Sequence, residues 1–137
     1  MIYGYVRYNA SDNENKNQQE TLLKEAGANK IFYDVGSGLD LLRPGIKELL
    51  RTAKRGDTIL VTKYHKLVRG FPEQIIFMDE LMKLGITIKE LLGQLDTSDP
   101  EFAKSHKEQM KFFEDIEKEA IEKGWNEEIE EKVWNGN

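Results

Sequence analysis

The chain has 137 residues, 39% of them hydrophobic, which is enough for one domain with a real core and one appended helix, and too short for a second folded unit. It contains no cysteine, which excludes thiolate catalysis, zinc ribbons and Fe–S clusters and fits a reducing compartment. The net charge of −5 lies entirely in residues 101–137, where eleven acidic side chains face six basic ones; residues 43–69 hold eight basic side chains against two acidic ones, so a basic middle precedes an acidic end.

The opening MIYGYVRY has no basic leader followed by a long apolar stretch, and no later segment approaches the roughly 18–20 apolar residues of a membrane span. A cytoplasmic protein without a membrane segment is expected. Ile2 to Tyr8 reads as a strand of β-branched and aromatic residues. Asn9 to Asn17 is too rich in Asn and Asp for a regular element, and a helix is predicted over 18–28 with Leu22, Leu23 and Ala26 on one side. Ile31 to Val35 is a short strand ended by Gly36-Ser37-Gly38. Pro44 suits the first turn of a second helix, whose missing N–H needs no partner there, with Ile46, Leu49, Leu50 and Ala53 as its apolar face.

Thr58 to Thr62 is the most strand-like segment, and a loop then carries Tyr64 to Gly70. Pro72 opens a third helix, with Ile75, Ile76, Met78, Leu81 and Met82 inward, and a further strand begins at Ile86. This alternation of strand and helix predicts an α/β fold with a mostly parallel sheet flanked by helices. Ligands of such sheets bind beyond the carboxyl ends of the strands. After Pro100, Phe102, His106, Met110, Phe113, Ala120 and Ile121 recur at helical spacing, predicting an amphipathic helix over 101–124 that spans roughly 36 Å. Residues 125–137 form a short acidic tail, in which Trp125 and Trp134 fit either a partner-binding face or packing on the third helix.

The basic residues converge on the expected strand ends. Arg7 ends the first strand, Arg43 opens the second helix, and Lys63, Lys66 and Arg69 follow the third strand. Cations gathered there make a phosphate site, with Arg offering bidentate contacts; the competing reading is a solvated face.

Tyr3-Gly4-Tyr5-Val6-Arg7, Gln18-Gln19, Ser37-Gly38, Arg43-Pro44, and the run from Gly56 to Val61 leading into Lys63, Leu67 and Arg69, in this order and spacing, resemble the N-terminal catalytic domain of serine recombinases, the resolvase and DNA invertase family. The resemblance runs over residues 1–97. It implies a resolvase-like domain over 1–100 and a long dimerisation-type helix over 101–124. It also implies a chemistry in which a serine after the first strand attacks a DNA phosphodiester to form a 5′-phosphoserine link. An arginine cluster stabilises the transition state, an Asp-Arg pair after the third strand assists proton transfer, and no metal or nucleotide cofactor is used. Arg7, Arg43 and Arg69 match three of those arginines.

The departures are specific. Asn9 occupies the nucleophile position, and a carboxamide cannot form the ester. His65-Lys66 replaces the Asp-Arg pair, and Val68 replaces the following Gly. Ser11 is an alternative nucleophile or a plain loop hydroxyl. His65 is a base near neutral pH or a phosphate-binding side chain, and His106 is a packing residue. The family's DNA-reading region is not expected within 137 residues. The expectation is therefore a catalytically impaired recombinase homologue that acts on mobile DNA as a dimer or with an active recombinase. An active recombinase or nickase using Ser11, and a simple phosphate-backbone-binding module, are the alternatives.

Overall fold

The structure, a computed structural model, describes residues 1–36, 43–70, 73–112, 114 and 118. Its strands are β1 (Ile2–Tyr8), β2 (Lys30–Val35), β3 (Thr58–Val61) and β4 (Thr87–Glu90). They form a parallel sheet in the order β2-β1-β3-β4, with Arg7 beside Asp34, Gly4 beside Leu60, and Val61 beside Glu90. Helices α1 (Asn13–Glu25), α2 (Pro44–Thr52), α3 (Glu73–Lys83) and α4 (Pro100–Phe112) follow in the predicted alternation, and a short 3-10 turn covers Tyr64–Lys66. No helix among the described residues is long and apolar enough to cross a membrane.

Side chains alternate across a strand, so each face of the sheet has its own core. On one face Tyr3, Tyr5, Phe32, Ile59, Val61 and Ile88 pack with Ile46, Leu49 and Leu50 of α2 and Phe77, Met78 and Leu81 of α3. On the other, Val6 and Leu60 pack with Leu23 of α1, flanked by Ile2, Tyr8, Ala28 and Ile31. Burying each such side chain is worth about 1.5–3 kcal/mol, which is what holds the helices against a sheet whose own hydrogen bonds contribute little net stability. Gly4 lets α1 approach β1: a Cβ there would stand 3.1 Å from Leu23 Cδ1 and 3.2 Å from Ile31 Cγ1.

Three expectations are corrected. The Asn-rich stretch is not all loop, since α1 begins at Asn13. Asp12 caps it by accepting the Asn15 N–H at 3.0 Å, and Glu14 lies in its first turn, favoured by the helix dipole. The same short polar side chains that compete with a helix interior stabilise a helix start. Ala26 is not on the packed face; it caps the helix end and is exposed. In α3, Phe77 is buried alongside Ile76, Met78 and Leu81, while Ile75 is only half-buried. Ser37, Gly38, Pro72, the tail 125–137 and most of 113–124 lie outside the described residues.

His106 is buried on α4 as its position on the apolar side predicts. It also contacts Asp79 Oδ1 of α3 through Nε2 at 3.1 Å and stacks on Phe102, which ties α4 to its own domain.

Candidate functional site

The parallel register brings β1 and β2 to an end together, and the turn after β3 arrives beside them. Arg7, at the last turn of the β1 pleat, is 7% exposed and spends its guanidinium on backbone carbonyls. Nη1 donates to Gly36 O at 2.7 Å, Nη2 to His65 O and Nε to Lys66 O, both at 3.1 Å. It thus links the ends of β1 and β2 to the turn that carries His65 and Lys66. Gln19 of α1 holds the same strand end from the other side, donating to Arg7 O at 2.9 Å.

Arg43 is equally buried. Its Nη2 donates to Leu67 O at 2.7 Å, so a second guanidinium grips the same turn. Its plane lies over the Tyr5 ring, 5.7 Å from the centroid, and its Nε is 4.0 Å from Asp34 Oδ2. Asp34 is the counter-charge that makes this burial tolerable. It accepts the Tyr5 hydroxyl at 2.7 Å and the N–H groups of Gly45 and Ile46 at 2.8 Å, so the carboxylate also caps the N-terminus of α2. Gly45 permits this seat, because a Cβ there would run into the Tyr33 carbonyl. Burial, with the hydrogen bond and charge of Asp34 adding to it, pushes the Tyr5 phenol far up, which keeps it a neutral donor despite the opposing charge of Arg43.

The electrostatics of the strand ends are one-sided. Burial first, then Arg43 and Arg69, lower the pKa of Arg7. Lys66 is lowered by burial, then Arg7 and Arg69, with Asp12 opposing. His65 is lowered by burial, then Lys66, Arg7 and Arg69, with Glu90 opposing. Cations that disfavour one another's charged forms create a local positive potential, which a bound anion would relieve. Arg43 and Arg69 act in this way on Arg7, and Arg7 and Arg69 act on Lys66 and His65; Lys63 is half-buried just after β3. Arg69 and His65 are exposed and Lys66 is half-buried, so these three are the side chains open to a ligand.

Asn9 lies two residues beyond Arg7 on an exposed turn, its carbonyl accepting the Asp12 N–H at 2.9 Å, and Ser11 is exposed on the same turn. Asp12 at the end of that turn bears on Lys66 by its charge. Sequence reasoning missed Tyr5, Asp34, Gly45 and Glu90. An acidic residue on the same inward face as Phe32, within an otherwise apolar strand, was the available signal for Asp34; Glu90 carried none.

A parallel α/β sheet flanked by helices, with basic residues gathered at its strand ends, defines the class. The sequence profile of the family described as "Resolvase, N terminal domain" matches residues 2–137. The chain is 38% identical over 100 residues to the DNA-invertase of Enterobacteria phage P7, covering 73% of this chain and 53% of that protein. It is also 38% identical over 100 residues to the serine recombinase gin of Escherichia phage Mu, covering 73% and 51%. In fold it is similar to the N-terminal catalytic domain of TP901-1 integrase, with a TM-score of 0.68 at 22% identity over 86% of this chain and 96% of that one. The chain belongs to the resolvase family of serine recombinases through that N-terminal domain. It spans about half the length of the curated relatives it matches.

Proposed function

We propose that this domain binds a DNA backbone phosphate at the strand ends and, with Asn9 at the nucleophile position, does not itself form a phosphoserine link. It then contributes to recombination by association, as a dimer or with an active recombinase, through the helix over 101–124. What supports this reading is the gathering of Arg7, Arg43, Lys66 and Arg69 at the strand ends, with Arg43 and Arg69 bearing on Arg7 and Arg7 and Arg69 bearing on Lys66, together with Asn9, a carboxamide, two residues beyond Arg7. The relatives are DNA invertases and a serine recombinase, which favours DNA over other phosphate ligands.

The geometry divides the labour. Arg7 and Arg43 organise the turn through its carbonyls, leaving Lys66, Arg69 and His65 for the phosphate. Bidentate contact from Arg69 and a point charge from Lys66 would hold a phosphodiester without metal chemistry. One exposed hydroxyl, Ser11, favours a second reading in which strand cleavage persists from a displaced nucleophile.

A single assay separates the two. The protein is incubated with supercoiled and nicked DNA bearing an invertase-type site, and covalent adducts are resolved under denaturing conditions. No adduct from the wild-type chain is expected, and Asn9→Ser regains adduct formation where the pocket retains its geometry. An adduct from the wild-type chain that Ser11→Ala abolishes would overturn the proposal in favour of the second reading.

A further inference from the structure

Glu90 ends β4 beside Val61, and its carboxylate reaches away from its own strand to the turn of the phosphate site. Oε2 accepts the Tyr64 N–H at 2.7 Å, and Oε1 accepts the Leu95 N–H at 3.2 Å. The Glu90 N–H in turn donates to Leu95 O at 2.9 Å, which fixes the base of the side chain. The opposite wall is Gly93, where a Cβ would collide with the Glu90 carboxylate. The carboxylate therefore has a built seat whose one missing side chain is that of Gly93. Tyr64 is anchored at its far end as well, its hydroxyl donating to the Gln74 carbonyl.

The turn over Tyr64–Lys66 is thus held by its backbone from several directions. Arg7 takes the His65 and Lys66 carbonyls, Arg43 takes the Leu67 carbonyl, and Glu90 takes the Tyr64 N–H. We propose that Glu90 is a positioning residue of the phosphate site: by holding Tyr64 it sets where the turn presents His65 and Lys66 to a DNA phosphate. This rests on the phosphate-binding reading above and adds to it a residue from the edge strand next to β3.

The positioning role is read from Glu90→Gln, which keeps an acceptor for Tyr64, against Glu90→Ala, which loses it; the charge of Glu90 adds a separate effect on how binding depends on pH. The charges that bear on His65 are Lys66, Arg7 and Arg69 against protonation and Glu90 in favour of it. A bound phosphate adds a second negative charge and favours imidazolium, so binding takes up a proton and strengthens as pH falls through the His65 titration. Removing the Glu90 charge moves that titration to lower pH.

The test is fluorescence anisotropy of a labelled DNA duplex with the full chain, from pH 5.5 to 8.5 at fixed salt. Lys66→Ala and Arg69→Ala establish the site. Glu90→Gln keeps an acceptor for Tyr64 and loses the charge; it should hold affinity at pH 8 within about twofold and shift the pH midpoint downward. Glu90→Ala and Gly93→Ala lose or displace the acceptor and should weaken binding about fivefold, the scale of one hydrogen bond. Gly93→Ala displaces only the tip of a flexible side chain, so it remains informative where Glu90→Ala folds poorly. Wild-type affinity and pH profile in Glu90→Gln, Glu90→Ala and Gly93→Ala, with Lys66→Ala and Arg69→Ala impaired, overturn the role of Glu90. Unimpaired Lys66→Ala and Arg69→Ala overturn the phosphate site itself.

Discussion

The Tyr5 hydroxyl donates to Asp34 Oδ2 at 2.7 Å beneath the guanidinium of Arg43, and that carboxylate simultaneously caps α2. One buried acid therefore joins β1, β2 and α2 and neutralises a buried arginine. Asp34→Ala should cost about 3–5 kcal/mol, because it leaves Arg43 buried without its counter-charge and the first N–H groups of α2 without an acceptor. Asp34→Asn keeps an acceptor and should cost less. Chemical denaturation of the two variants measures the difference; equal stability of Asp34→Ala and wild type would remove the network from the account.

Arg7 and Arg69 are both arginines of the cationic set, but the structure gives them different work. Arg7 is buried and donates to three carbonyls, so Arg7→Lys, which retains charge and loses the fork, should lower stability by about 2–4 kcal/mol. Arg69 is exposed, so Arg69→Ala should alter stability by no more than about 0.5 kcal/mol. It should instead weaken duplex binding and reduce the salt slope by about 1. Thermal unfolding and salt titrations of binding on the same two variants read the contrast.

Gly4 is required by the closeness of α1 to the sheet. Gly4→Ala inserts a methyl into contacts of 3.1 and 3.2 Å with Leu23 and Ile31, and overpacking of this kind should cost about 1–2 kcal/mol. Leu23 is fully buried and has little room to yield. A pairing of Gly4→Ala with Leu23→Val, which removes volume at the contact, should recover part of the loss in a double-mutant cycle.

His106 joins α4 to α3 through Asp79, whose other oxygen is 3.0 Å from Lys83 Nζ. His106→Ala removes that bond and the stack on Phe102, and should destabilise by about 1–3 kcal/mol. Amide exchange should localise the effect to residues 100–112, leaving β1 and β3 protected. Uniform loss of protection would instead make α4 part of the main cooperative unit.

Much of the architecture was legible because it rests on local patterns. The apolar run of β1, the Pro at the start of α2 and the apolar periodicity of α2 are read directly from neighbouring residues, and the structure places those elements there. The start of α1 was not legible in that way. Asn and Asp side chains favour both turns and helix caps, and only the hydrogen bond from Asn15 N–H to Asp12 decides between them.

The sequence by itself determined that basic residues would meet beyond the strand ends, since topology sends the ends of β1 and β3 to the same edge whatever the side chains do next. Family spacing places Asn9 two residues beyond Arg7, and its assignment to the nucleophile position belongs to the proposal. Only the tertiary structure decided how the cations are used. Arg7 and Arg43 are drawn inward because the turn after β3 presents carbonyls there, and Asp34, eleven residues before Gly45, supplies the charge that lets Arg43 stay buried. Glu90 reaches the same turn only because β4 lies next to β3, a neighbour relation between strands that no local pattern of residues encodes.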